Sequence, residues 1–420
     1  MRDEVCTLIT RRKFVTGLGS AMVVAACSGR TMSMFKPDPT SALVDPDGAI
    51  PAGSLGPVTD RVLVVIEMGG GNDGLSMVVP HGLSTYYDLR SDLRITNPID
   101  LDGEIGLHPE LEFVASEYEA GRVALVEGVG MSDPDLSHFV SMASWWTAKP
   151  NSSDGTGWLG RYLDGTVGYS RPLAGIAIGP GPSRAMLGNG SYAVAIRDET
   201  GLQPDVPGWV DDVDELIGAW AGFAPGGGTG ETDPIRQAIG VAVDARDQLS
   251  QALDGTSSAQ TRRPTIENEM LLAAKLINSG VSPTVIYVHG FGDFDTHLDQ
   301  AARHGEMMAQ LNTALAGFWS ELGENANRVL VLTASEFGRR PRENGSGTDH
   351  GTAAAHMLIG PAVAGGRYGD PPSLSRLDSS GNLIHTVDYR SVYATVLESW
   401  LESDADEVLG YGYERLPLFA

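Results

Sequence analysis

Cysteine is nearly missing from this 420-residue sequence: there are two, Cys6 and Cys27, both near the N-terminus. Their position excludes a disulfide scaffold, a thiolate-built zinc site and a cysteine nucleophile in the body of the chain. Lysine is almost as scarce, at Lys13, Lys36, Lys149 and Lys275, so the 29 basic residues are mostly arginine. Positive charge is outnumbered by 54 Asp+Glu, for a net charge of −25. A surface of that sign repels phosphate backbones and argues against a nucleic-acid partner. No Gly-x-Ser-x-Gly elbow is present, which argues against a serine hydrolase of the α/β type. What is there in quantity is apolar residues, at 42%, and glycine, at 53 residues. The first supports a large core, and the second implies many turns and close backbone approaches.

The N-terminus reads as an address. Thr10-Arg11-Arg12-Lys13-Phe14 forms a twin-arginine pattern, followed by a mildly apolar stretch from Phe14 to Ala26. That stretch is short of the ~20 apolar residues that span a bilayer, so residues 1–27 are expected to be an export signal. Val24-Ala25-Ala26-Cys27 also resembles a lipobox, with cleavage near Ala25–Ala26 without lipid as the alternative. A lipid anchor at Cys27 is the one membrane contact foreseen. The expected destination is periplasm, cell surface or medium. Residues 28–59 carry Pro, Gly, Ser and Asp without periodicity and read as an extended linker.

From residue 60 onward the pattern alternates. Val62–Ile66, Val123–Val126, Thr284–Val288 and Val329–Thr333 are β-branched or apolar runs that read as buried strands. Between them, residues 111–118, 157–163, 233–253, 264–278, 298–322 and 389–401 have helical character. Short strands are expected within 172–196, and a further strand at Ala355–Ile359. This predicts one α/β domain over 60–420, a three-layer sandwich around a mainly parallel sheet, with a helical insertion at about 205–280. In such folds, ligands bind outside the carboxyl ends of the strands.

The loops that follow the strands carry the chemistry. After the first comes Gly69-Gly70-Gly71-Asn72-Asp73-Gly74, which matches Gly-x-Gly-x-x-Gly. No clear phosphate-capping helix follows, and Asp88 and Asp92 lie in a stretch without strand character, so a dinucleotide site is disfavoured. Asp73 instead can hold a cation or cap a turn. After the third comes His289-Gly290-Phe291-Gly292-Asp293-Phe294-Asp295-Thr296-His297. Asp293, Asp295 and His297 together suit zinc first, or another divalent first-row metal such as manganese, with a polar loop capping the following helix through Asp295 or Thr296 as the alternative; a site of oxygens alone would suit calcium or magnesium. After the fourth come Glu336, another strand-end carboxylate, and Arg339, able to fork onto an anionic oxygen. His350, beside Asp349 and Gly351, is a further ligand candidate, whereas His356 reads as a core histidine. Ser137-His138 follows the 123–126 strand; Ser137 can be a nucleophile, a helix N-cap, or both.

Taken as a set, Gly-Gly-Asn-Asp-Gly, Ser137-His138-Phe139, Gly157-Trp158-Leu159-Gly160-Arg161, Asp295-Thr296-His297, Glu336-Phe337-Gly338-Arg339, Asp349-His350-Gly351 and Asp388-Tyr389-Arg390 resemble the bacterial family called domain of unknown function 1501. That family is grouped with the alkaline-phosphatase-like superfamily of phosphatases and sulfatases. The resemblance implies an alkaline-phosphatase-like fold and one or two divalent metals. It implies metal ligands at Asp73, at Asp293 or Asp295, and at His297, with Ser137 as nucleophile. Glu336-Phe337 stands where the superfamily carries Asp-His; this departure removes an imidazole, for which His350 is the replacement and His385 a distant one. The implied activity is an exported metal-dependent hydrolase of a small or polymeric anionic phosphate or sulfate ester. Ser137 would attack, Arg339 would neutralise charge, and His138 or His350 would protonate the leaving oxygen. A binding or assembly protein that has lost catalysis on the same scaffold is the alternative.

Overall fold

The computed structural model describes residues 33–35, 50, 52–56, 59–191, 193–197, 233–253 and 265–420. The signal segment, both cysteines and residues 205–232 of the expected insertion lie outside the described residues. The central sheet has ten strands. They are β1 (Ser33–Phe35), β2 (Val62–Gly69), β3 (Val123–Gly130), β4 (Gly175–Ile178) and β5 (Ala193–Ile196), then β6 (Val285–Gly292), β7 (Val329–Ala334), β8 (Ala354–Ile359), β9 (Gly366–Tyr368) and β10 (Val387–Asp388). Their spatial order is β1-β5-β4-β6-β2-β7-β8-β3-β9, with β10 also on β3. β2 lies parallel to β6 and to β7, and β4 lies parallel to β5 and β6. β8 runs antiparallel to both β7 and β3. The edge strand β1, antiparallel to β5, falls within the segment that reads as a linker.

The sheet is buried on both faces, which is why its central strands are continuous apolar runs rather than alternating ones. Along β2, Val62, Val64, Ile66 and Met68 enter one core, while Leu63 and Val65 enter the other. The period of two in side-chain direction assigns each residue its layer. The first core is covered by helices Asp233–Leu253, Ile266–Asn278, Gln300–Leu322 and Glu112–Glu119. The second is covered by helices Trp158–Thr166 and Tyr389–Thr395 (the latter continuing as a π-turn to Trp400), with Ala405–Leu409 and Trp145 of helix His138–Thr147. The result is a three-layer α/β sandwich around a mainly parallel sheet. Among the described residues, no helix is long and apolar enough to cross a membrane.

This topology gathers the expected loops. The carboxyl ends of β2, β6, β7 and β3 open at one end of the sheet. β8 runs the other way, so the segment entering it, which carries Asp349 and His350, arrives at that same end. A hairpin of Arg339–Glu343 and Thr348–His350, absent from the sequence-based reading, closes the far side.

Candidate metal centre

Asp295 stands at the middle of a ring of imidazoles. His350 Nε2 and His297 Nε2 each lie 3.1 Å from its Oδ1, and His138 Nε2 lies 3.5 Å from its Oδ2. The two nitrogens of His297 and His350 are themselves 3.1 Å apart. His138, Asp295 and His350 each offer an atom within 4.8 Å of the others, the spacing of groups that can share one ion.

Two of the rings, His138 and His350, are oriented from behind by hydrogen bonds. His350 Nδ1 is 2.8 Å from the Leu136 carbonyl, which can only accept. Nδ1 therefore carries a proton, and Nε2 is the atom turned to Asp295: protonated it donates to the carboxylate, and deprotonated it would offer its lone pair to an ion. His138 Nδ1 is 2.8 Å from Glu336 Oε1, and His297 Nδ1 is 3.6 Å from Asp349 Oδ1. An acceptor behind one nitrogen and a convergent lone pair on the other is how metal-binding histidines are held. Contacts of 3.1 Å between ligand atoms are also close to the edge of a tetrahedron with metal–ligand bonds of about 2.0–2.1 Å. The donor set of imidazole nitrogens and one carboxylate fits a divalent first-row ion better than calcium or magnesium.

The electrostatics agree. Burial works to raise the Asp295 carboxyl, but hydrogen bonds from the Arg339 guanidinium and His350 outweigh it and hold the pKa at about 2. His138 is shifted upward, chiefly by its hydrogen bond to Glu336 and against partial desolvation.

Several expected site residues are placed elsewhere, and each displacement has a physical reason. Asp73, expected as a metal ligand, is placed apart from this cluster as the partner of a buried arginine. It is 1% exposed, and Arg90 forks onto it, with Nη2 at 2.9 Å from Oδ1. Ser76 Oγ donates to its Oδ2 at 2.6 Å and Gln300 Nε2 at 2.5 Å, so its lone pairs are committed. Burial pushes this carboxyl up, yet the Arg90 charge prevails and the pKa falls to about 2. Asp293, likewise expected as a ligand, turns outward at φ +88, is exposed, and pairs with Arg303. Glu336, also expected as a ligand, stands behind His138: its Oε1 takes both the Gly70 N–H, at 2.8 Å, and His138.

Arg339, expected as an anion clamp, is placed as a tie between loops. It is 1% exposed, and its donors go to the carbonyls of Gly70, Gly71, Phe294 and Thr348 and to Asp295 Oδ1 at 2.7 Å. In the glycine turn it grips, the Gly70 and Asn72 amides are spent on Glu336 and on Ser335 Oγ. Gly70 and Gly71 have φ of +115° and +80°, and a Cβ on Gly70 would stand 2.5 Å from the Asp295 nitrogen. Only glycine allows the β2 turn to pass so close under the ring.

Ser137 occupies the N-cap position of helix His138–Thr147, but its side chain makes no cap hydrogen bond. Its hydroxyl is thus left available one residue from His138. His356 lies in the core against Trp145, with Nδ1 3.1 Å from the Thr333 carbonyl, and burial lowers its pKa to about 4. Sequence reasoning missed Arg90 and Gln300, which lie in a Tyr/Arg-rich loop and on a helix without a motif, and the Leu136 carbonyl, which no side-chain pattern can announce.

Comparison with known proteins gives a partial match. The family described as "Protein of unknown function (DUF1501)" matches residues 230–409, a stretch that contains Asp295, His297, Glu336, Arg339 and His350 but not Ser137 or His138. No curated protein matches the chain. Among solved structures, it is similar to a protein in the alkaline phosphatase superfamily from Vibrio parahaemolyticus, at 9% identity and TM-score 0.37, covering 88% of this chain and 74% of that one. It is also similar to the PsFucS1 sulfatase from Pseudoalteromonas sp., at 12% identity and TM-score 0.37, covering 85% and 70%. A third likeness is to alkaline phosphatase from the Antarctic bacterium TAB5, at 10% identity and TM-score 0.29, covering 72% and 92%.

Proposed function

We propose that this chain is an exported, metal-dependent hydrolase of phosphate or sulfate esters. The observation that carries the reading is the convergence of three imidazole Nε2 atoms on Asp295, with the His138 and His350 rings each backed by an acceptor. The sequence motifs shared with an alkaline-phosphatase-like family support the ester class. His138, Asp295 and His350 would hold one divalent metal, with His297 as the further ligand; zinc is the first expectation and manganese the next. When bound, the metal supplies Lewis-acid polarisation of the ester's oxygens.

The chain's own residues supply the rest. Ser137 is the nucleophile: its hydroxyl is uncommitted and lies at a helix N-terminus, where negative charge is favoured. Glu336 and the Leu136 carbonyl fix which nitrogen of His138 and His350 carries the proton. Arg339 lowers the Asp295 pKa and locks its carboxylate toward the imidazoles.

Metal analysis of the purified protein, with turnover of 4-nitrophenyl phosphate and 4-nitrophenyl sulfate, tests the reading. One divalent ion per chain is expected, with Ser137→Ala keeping the metal and losing turnover. Protein free of divalent metal, or turnover indifferent to Ser137→Ala, overturns it. One observation favours a second reading, a metal-binding scaffold without turnover: Arg90 and Arg339, the buried guanidiniums nearest the site, are both spent internally. That reading expects the metal without activity on either ester.

A further inference from the structure

Beside the cluster lies a cleft of about 740 Å3. It is lined by Met131 to Pro134 and Leu136, by residues between Asp378 and His385, and by Arg340 and Thr352. A volume of this order is typical of small-ligand sites. Its wall is shared with the metal centre at two points. Leu136 lines the cleft and its carbonyl holds His350. Arg340 lines it too, and its guanidinium stands 3.7 Å from Asp349, the carboxylate behind His297.

The polar groups of the cleft divide into spent and available. Asp378 accepts the N–H groups of Ser380 and Asn382, each at 2.8 Å, and the Asn382 amide at 2.9 Å. Arg340 Nε donates to Asn382 Oδ1 at 3.2 Å, and Thr352 donates to the Leu383 carbonyl. The Asp133 carboxylate, the His385 ring and the hydroxyls of Ser132 and Ser379 line the same wall. These include an acceptor, a ring that both donates and accepts, and hydroxyls that do either. One arginine faces two aspartates, so the cleft does not favour added negative charge.

We infer that this cleft binds the alcohol half of the ester as an uncharged, hydroxyl-rich group, a glycosyl or polyol unit. The substrate then carries its single anionic ester on a neutral sugar-like body and is not a densely charged polymer. Naming this group the alcohol half rests on the hydrolase reading; the affinity of the cleft for it does not.

The test is direct binding of maltotriose, a neutral hydroxyl-rich probe, and heparin, a dense polyanion, to the full protein. Saturation-transfer NMR reads the first and calorimetry both. Maltotriose is expected to bind, with affinity at least five-fold weaker in Asp133→Asn and in His385→Ala, and heparin is expected not to bind. Asparagine keeps the left-handed backbone at position 133, where φ is +47. No maltotriose binding, binding indifferent to both substitutions, or tighter binding of heparin overturns the inference. Turnover plays no part in this readout, so a catalytically silent protein leaves its result intact.

Discussion

Asp73 and Asp295 sit at the ends of adjacent parallel strands, and both carboxyls are held at about 2 by a nearby guanidinium working against burial. By titration alone they are alike. Their surroundings differ: Asp73 is sealed at 1% exposure with Arg90, Ser76 and Gln300 filling its lone pairs, whereas the Asp295 side chain is 43% exposed and faces three imidazoles. A perturbed pKa therefore marks a strong local field but does not distinguish a structural ion pair from a ligand. The distinction lies in what remains unsatisfied around the carboxylate.

The comparison can be broken in four places. The largest effect is expected at Arg90→Met, which leaves the buried Asp73 charge unpaired and costs about 3–5 kcal/mol in urea unfolding. A loss below 1 kcal/mol would mean that the pair is not a keystone. Next, Asp295→Ala should weaken zinc or manganese binding at least 100-fold by competition with a chelator, about 2.7 kcal/mol. If Asp73→Ala in folded protein does the same, the two aspartates do not divide the roles described. Third is the pH dependence of the buried pair. A carboxyl whose folded pKa is depressed stabilises the fold above its unfolded value and loses that contribution as pH falls through the folded value. For Asp73 the window runs from about 4 down to about 2, worth about 2 kcal/mol. Unfolding measured at pH 5 and pH 2.5 should show this slope, and Asp73→Asn should flatten it. The smallest effect is expected at Glu336→Gln, which keeps an acceptor oxygen but removes the charge behind His138. Metal affinity should drop about ten-fold, at the low end for a residue that orients a ligand. A loss as large as that of Asp295→Ala would make Glu336 a ligand after all.

The layers were plain in the sequence because continuous apolar strands and 3.6-period helices are local patterns: residues 233–253 read as a helix and form Asp233–Leu253. The antiparallel direction of β8 was not, since strand direction depends on which crossover the chain takes. Much of the site was visible as residue types at strand ends, and Asp295, His297, His350 and His138 do meet. The division of labour among the carboxylates was hidden, because Asp73, Asp293, Asp295 and Glu336 look equivalent until their partners are placed. Arg90 comes from a loop with no motif, and with Ser76 and Gln300 it occupies the Asp73 carboxylate. Some motif residues turned out to serve packing: Arg161 is buried and donates to the carbonyls of Val408, Thr156 and Thr147. Asp388 caps its helix by accepting from the Arg390 N–H, and Tyr389 stacks on Trp145.

Arg339 binds carbonyls of the turn after β2, the loop after β6 and the hairpin that precedes β8, and it binds Asp295 directly. The three imidazoles come from positions 138, 297 and 350, so no short stretch of chain contains the ligand set. Until that guanidinium has drawn its loops together, a passing ion meets only scattered side chains of ordinary affinity. On the proposed metal-dependent reading, metal acquisition is therefore a late event, following the sheet rather than nucleating it. On that same reading, the compartment in which folding finishes would set which ion the protein receives.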